Sequence, residues 1–308
     1  MTQHHAPAAS AAVSLLDLAR DIAVRASEFA LDARRTGVRV AATKSTPTDI
    51  VTAVDRDTET LIRSLILEAR PDDGIVGEED ATHIGTSGID WVVDPIDGTV
   101  NFLYGVPAWA VSIAVVEGAV GAGGVADAAG RADAGGVADA AGATDAAGAT
   151  LDGTGGTTLA GVVVNPVTGE LFEASAGGGA RLAGRELAVN PDVTLGSALV
   201  GTGFSYAAER RREQAAVLLE LLPLVRDIRR IGSAALDLCA LAAGRLDAFY
   251  ERGLNPWDHA AGALIAREAG ARVSGPGGER ENAELLVAAA PGLYDELTAA
   301  LRAAGVDA

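Results

Sequence analysis

Hydrophobic positions along this chain recur at helical spacing in some stretches and run together as short buried strands in others. Between residues 13 and 35, Leu15, Leu18, Ile22, Phe29 and Ala33 fall on one helix face, with Ser10 as a possible N-cap and Gly37 as a stop. A short strand over 38–41 leads into Thr43-Lys44-Ser45-Thr46-Pro47, a polar loop. A second helix is expected from Arg56 to Ala69, with Leu61, Ile62, Leu65 and Ile66 inward. Ile75-Val76 reads as a brief strand ending in Gly77-Glu78-Glu79-Asp80. Trp91 to Asp94 reads as a buried central strand, 100–104 as a short helix, and 109–116 as another buried strand.

Residues 117–158 break this pattern. The stretch is nearly all Ala, Gly, Asp and Thr, and Gly-Gly-Val-Ala-Asp-Ala-Ala-Gly occurs at 123–130 and again at 135–142. Two eight-residue copies are too few for a solenoid, and the composition offers little to bury, so a dispensable surface insertion is expected. Periodicity returns at Leu159. Residues 161–165 and 170–174 flank Pro166-Val167-Thr168-Gly169 as a β-hairpin, and 181–182 with 186–189 form a second hairpin around Gly184. Helices then follow at about 207–225, 233–243, 257–269 and 293–303, with strands at 227–231, 246–251 and 285–289. The pattern predicts a layered α/β fold.

Length and charge narrow the functional classes. At 308 residues the chain suits one large domain or two intimate ones. A formal charge of −18 argues against nucleic acid, whose backbone needs clustered Lys and Arg. It suits a protein that recruits cations. Cys239 is the single cysteine, so no internal disulfide can form, which points to a reducing cytoplasm. No stretch reaches the roughly 18 apolar residues of a membrane helix, and residues 1–12 carry neither a basic start nor an apolar core. His4 and His5 fall in this tail, which is expected to be disordered.

The candidate chemistry centres on Trp91-Val92-Val93-Asp94-Pro95-Ile96-Asp97-Gly98-Thr99. Pro95 has no N–H to donate, so the ladder is expected to stop there and the chain to turn at a sheet edge. Two acids and a free carbonyl then face one point, the kind of oxygen cluster hard divalent cations take. Gly98-Thr99 follows at an apparent helix start, where free N–H groups can hold a phosphate. Each residue also has a plainer explanation. Asp-Pro and Asp-Gly mark turns, Asp258 suits a first helical turn, and Asp55 suits an N-cap. Glu79 and Asp80 read as solvated surface, as does Lys44, while Glu78 follows a strand end.

Taken together, Gly77-Glu78-Glu79, the run Trp91 to Thr99, Gly232-Ser233-Ala234-Ala235 and Trp257-Asp258-His259-Ala260-Ala261-Gly262 closely resemble the inositol monophosphatase family of Mg2+-dependent phosphatases. The resemblance spans nearly the whole chain apart from the tail and the 117–158 insertion. It implies a layered αβαβα sandwich of the inositol monophosphatase and fructose-1,6-bisphosphatase kind, with a metal-binding part at about 13–190 and a second α/β part at about 191–308. It also implies that Glu78, Asp94 and the Ile96 carbonyl hold one Mg2+, and that Asp94, Asp97 and Asp258 hold a second. A third, weaker ion would use Glu78 near Asp55. Thr99, bonded to Asp55, would orient the attacking water, so that Glu78, Asp55 and Thr99 are the catalytic candidates. Amides of Gly98 and Thr99 would hold phosphate oxygens. Glu251 would accept hydrogen bonds from polyol hydroxyls, with Asp97, Ala234 and Asp258 as neighbours, and Gly201-Thr202-Gly203-Phe204 would form a substrate wall.

The implied activity is hydrolysis of inositol 1-phosphate by a lithium-sensitive, cytoplasmic homodimer, with no membrane or nucleic-acid partner. Histidinol phosphate is the leading alternative substrate, within a wider range of sugar and polyol phosphates. A second phosphate on the substrate would need a basic cluster, and the sequence suggests none near the motifs: Arg210 to Arg212 lie on a helix, and Arg226, Arg229 and Arg230 lie around a strand. Some bacterial members of the family are thought to bind transcription machinery, which gives a binding-protein alternative.

Overall fold

The computed structural model describes residues 8–37, 40–43, 50–118 and 156–308. Residues 1–7 with His4 and His5, the loop with Lys44, and residues 119–155 of the Ala/Gly/Asp-rich segment lie outside the described residues, while 8–12, expected in a disordered tail, belong to the first helix. The chain opens with α1 (Ala8–Thr36), the antiparallel pair β1 (Val40–Thr43) and β2 (Ile50–Thr52), and α2 (Ala53–Ala69). A seven-stranded sheet then forms in chain order from β3 (Gly74–Gly77), β4 (Ile89–Asp97), β5 (Ala110–Glu117), β6 (Thr157–Asn165), β7 (Glu170–Ser175), β8 (Ala180–Leu182) and β9 (Arg185–Glu186). The short helix α3 (Thr99–Tyr104) joins β4 to β5.

The second sheet comprises β10 (Leu199–Thr202), β11 (Asp227–Arg229), β12 (Ala248–Glu251), β13 (Arg272–Ser274) and β14 (Leu286–Ala289), in the spatial order β11-β10-β12-β14-β13. Its connections are α4 (Ala208–Leu221), α5 (Ala234–Ala242), α6 (Pro256–Glu268) and, at the end, α7 (Pro291–Ala303).

Side chains alternate across each strand, and this alternation builds the layers. Trp91 and Val93 of β4 join α1 and α2 in one core with Ile22, Ile62 and Ile66. Val92 points the other way, into the core that α5 and α6 fill between the two sheets. Every residue of α5 is buried, as expected for a helix that is apolar everywhere but at Asp237. A third core, with Leu293 and Leu297, places α7 on the far side of the second sheet. The result is the expected αβαβα sandwich. Gly161 lets α6 lie close on β6: a Cβ there would sit 2.9 Å from the Ala261 carbonyl oxygen. That close seat fixes the helix that carries Asp258.

Several local expectations need correction. The first helix starts at Ala8, so Ser10 lies within it and does not cap it. Phe29 is 40% exposed, because the buried stripe of α1 runs through Ile22, Ala26 and Ala30. Asp55 is not the N-cap of α2; Thr52 is, and Asp55 sits at the third helical position of a capping box. Pro95 does not end the ladder. Pairing of β4 with β5 continues from Asp94↔Ser112 to Asp97↔Ala110 across a register shift, so an extra residue bulges out of β4. Nor is β4 an edge strand, since it lies between β3 and β5. Its partner β3 stops at Gly77↔Val93, however, so no strand on that side needs the N–H that Pro95 lacks.

Candidate active site

The bulge after Asp94 brings both acids of β4 to one cavity. Had the pairing stayed regular, residues three apart would point to opposite faces. Asp94 accepts a hydrogen bond from the Ile96 amide at 3.0 Å. Asp97 accepts from the Ser233 hydroxyl at 2.6 Å and from the Ala235 amide at 2.8 Å. Ser233 is also the N-cap of α5, so the Gly-Ser-Ala-Ala motif ties the second sheet's helices to β4. Asp258 enters from α6, where it completes a capping box with Asn255 and accepts from that residue's amide at 2.6 Å. Carboxylate oxygens of Asp94, Asp97 and Asp258 lie within 4.8 Å of one another.

This convergence is electrostatically unfavourable without cations. Burial pushes the Asp94 carboxyl well above its ordinary range, and the neighbouring charges of Glu78, Asp97 and Asp258 add to the shift. Asp258 is raised by burial and by Glu78 and Asp97. Asp97 is raised to about 6 by burial, even though Ser233 and the amides of Ala235 and Ala234 oppose the shift. Among the described residues, no lysine or arginine forms an ion pair with any of the three. A tight, all-oxygen donor set without a counter-charge fits a hard divalent cation.

Glu78 lines the same cavity, just beyond the end of β3. Its loop is held by Glu59 of α2, a buried residue that sequence reasoning missed. The Glu59 carboxylate accepts from the amides of Glu79 at 2.8 Å and Asp80 at 3.1 Å, and pairs with Arg63 at 2.7 Å. Asp55 lies behind the cavity wall. It accepts from the Thr52 amide at 3.0 Å and from the Thr52 hydroxyl, and Thr99 Oγ1 reaches it at 3.1 Å. The same Thr99 hydroxyl is 3.1 Å from the Ile96 carbonyl. Burial raises Asp55 to about 6.

The cavity has a volume of ≈ 260 Å³ and is lined by Glu78, Asp94, Ile96, Asp97, Gly98, Thr99, Ala234, Glu251 and Asp258, all of them sequence candidates. Of the catalytic, metal and substrate-binding candidates Asp55 is absent from the wall, one hydrogen bond behind it, and of the expected substrate wall Gly203 and Phe204 line the cavity while Gly201 and Thr202 do not. Glu251 ends β12 facing Gly203, and burial raises it to about 8. Asp237, Arg230 and Arg252 also line the cavity and were not anticipated. Asp237 could have been found, because it lies one helical turn beyond Ser233 and so shares its face. Burial raises Asp237 well above the usual carboxylate range. Cys239 is fully buried and its thiol is pushed up by that burial, so it offers no nucleophile.

Known proteins resemble this chain in sequence and in fold. A sequence model described as the inositol monophosphatase family matches residues 12–154 and 149–306. The inositol-1-monophosphatase SuhB of Mycobacterium tuberculosis is 45% identical over 288 residues, covering 90% of this chain and 87% of its own. The Nus factor SuhB of Vibrio cholerae is 34% identical over 262 residues, covering 84% of each chain. Among solved structures, the extragenic suppressor protein suhB from Bartonella henselae superposes with a TM-score of 0.77 at 30% identity, over 94% of this chain and 98% of that one.

Proposed function

The chain belongs to the inositol monophosphatase family, and on that premise we propose that it is a Mg2+-dependent phosphate monoester hydrolase whose substrate is inositol 1-phosphate. The observation that carries this reading is the convergence of Asp94, Asp97 and Asp258 without a basic partner. Glu78, Asp94 and the Ile96 carbonyl would hold one Mg2+, and Asp94, Asp97 and Asp258 a second, with a weaker third near Glu78. When bound, Mg2+ would supply a more acidic water and neutralise charge on the phosphate and the departing alkoxide.

The chain's own groups do the positioning. With its proton committed to Asp55 or to the Ile96 carbonyl, the Thr99 hydroxyl presents lone pairs that accept from an attacking water. Glu78 holds that water from the other side. The Gly98 and Thr99 amides receive phosphate oxygens, so the ester is oriented for in-line attack and no covalent intermediate on the protein is needed. Glu251, together with Asp97 and the backbone at Ala234, receives the ring hydroxyls. A buried carboxyl that needs partners favours a polyol over an apolar alcohol.

The family resemblance also supports inhibition by lithium, a homodimer and a cytoplasmic setting. The proposed parts at about 13–190 and 191–308 follow the two sheets. Among the described residues, no helix is long and apolar enough to cross a membrane. Purified protein with Mg2+ should turn over inositol 1-phosphate at least about tenfold faster, by kcat/KM, than histidinol phosphate, a difference of about 1.4 kcal/mol. A reversed preference would overturn the substrate, and absence of any Mg2+-dependent hydrolysis would overturn the enzyme. The Vibrio relative's description as a Nus factor favours a second, binding role. Cellular function surviving intact in an Asp97→Asn variant would make that role the main one.

A further inference from the structure

Asp237 is the single charged residue of the otherwise apolar α5, and it is 1% exposed. It lines the cavity, yet its Oδ1 is buried without a hydrogen-bond partner. Among the described residues, no donor or ion pair reaches the Asp237 carboxyl. The half-buried Glu251 carboxyl, on the same cavity, has none either. A buried acid that serves only as a brace collects donors, as Glu59 does from two amides and Arg63. Asp237 and Glu251 collect none, and an acid left in that state costs stability.

Glycines at the end of β10 set the two acids side by side. A Cβ on Gly201 would lie 3.1 Å from Asp237 Oδ1, and one on Gly203 would run into both Glu251 oxygens at 2.1 Å. Positions two apart share a face of an extended strand, about 6–7 Å from each other. Asp237 from α5 and Glu251 from β12 therefore stand over one face of β10 and its continuation, at a spacing of that order. Neighbouring ring hydroxyls, each donating over ~2.7 Å, bridge such a gap. Burial raises both carboxyls, and the charge of Glu251 adds to the shift at Asp237. Hydroxyl donors would offset that cost.

We infer that Asp237 is a second substrate-reading acid: it accepts a hydrogen bond from a ring hydroxyl adjacent to the one that Glu251 accepts, so that the cavity selects alcohols carrying neighbouring hydroxyls. This rests on the phosphatase reading above and deepens it by adding a specificity-determining residue. An ester that brings no hydroxyls leaves both buried acids unpaired, and is disfavoured for that reason.

The test compares inositol 1-phosphate with p-nitrophenyl phosphate, whose alcohol carries no further hydroxyl, in the full-length protein with Mg2+. Asp237→Ala should lower the ratio of kcat/KM for inositol 1-phosphate to that for p-nitrophenyl phosphate by roughly tenfold, mainly through KM. Asp237→Asn, which keeps an acceptor and loses the charge, should fall between. Removing an unpaired buried acid should hold or raise the Tm of the metal-free protein, where removing a brace would lower it. An unchanged ratio in Asp237→Ala overturns the inference alone, as does an equal loss on both esters accompanied by a lower Tm. Absence of Mg2+-dependent hydrolysis of both esters by the wild type overturns the phosphatase reading, and the inference with it.

Discussion

Asp73 and Asp94 are each 1% exposed, the first bonded to Trp91 of β4 and the second within that strand, yet their surroundings could hardly differ more. Asp73 receives Arg70 Nε at 2.7 Å and Nη2 at 3.0 Å, the Ser87 hydroxyl at 2.7 Å and Trp91 Nε1 at 2.9 Å. Burial alone would raise its carboxyl, but these donors hold it below the usual range. Asp94 receives one backbone amide and faces other acids, so its carboxyl is driven up. A buried acid surrounded by donors is a structural brace. A buried acid surrounded by acids is a site waiting for a cation.

Substitution should separate the two most sharply. Asp94→Asn is expected to abolish hydrolysis, well beyond the roughly 100-fold loss typical of an outer contact to a metal ligand. The same change should raise the Tm of the metal-free protein, because it removes one charge from the repelling group. Asp73→Ala should do the reverse. Breaking a buried pair would cost about 3 kcal/mol of stability in chemical denaturation while leaving kcat per folded molecule close to wild type. A lower Tm in both variants would erase the distinction.

Glu59 lies between these extremes, as a satisfied acid that serves the site through another residue. Glu59→Gln keeps the shape but loses the charge that draws the amides of Glu79 and Asp80 and the Arg63 guanidinium. The apparent Mg2+ affinity is expected to weaken roughly 10-fold or more, read by calorimetry alongside activity, with a smaller change in kcat at saturating metal. An unchanged affinity would reduce Glu59 to a structural brace.

The smallest effect is on pH dependence. Asp97 and Asp55 each sit at about 6, above the ordinary carboxylate range. Between pH 4 and pH 6 the folded metal-free protein therefore binds more protons than the unfolded chain, and its stability falls as pH rises through that window. Mg2+ competes with those protons, so the Mg2+-induced gain in Tm should be larger at pH 7.5 than at pH 5. Equal gains at both values would mean that these acids do not meet the ion.

Much of this was legible in the residues, for identifiable reasons. The Trp-Val-Val run announced β4, and Pro166 to Gly169 announced the β6–β7 hairpin, because apolar runs and turn residues act locally. Strand β10 was missed because Gly201-Thr202-Gly203 carries no strand signature, and β13 because three residues show no period. The acids were found because their motifs lie at element ends. Arg230 and Arg252 on the cavity wall were not, since they follow β11 and β12 and come together only when the second sheet forms. Glu59 was hidden for the same reason: the amides it holds lie 20 and 21 residues away.

The most direct test is calorimetric titration of Mg2+ into chelator-treated wild-type protein and into Asp94→Asn at pH 6. Saturable binding in the wild type, accompanied by proton release and lost in the variant, is the predicted result. Absence of binding in the wild type, or the same isotherm in Asp94→Asn, would contradict the account.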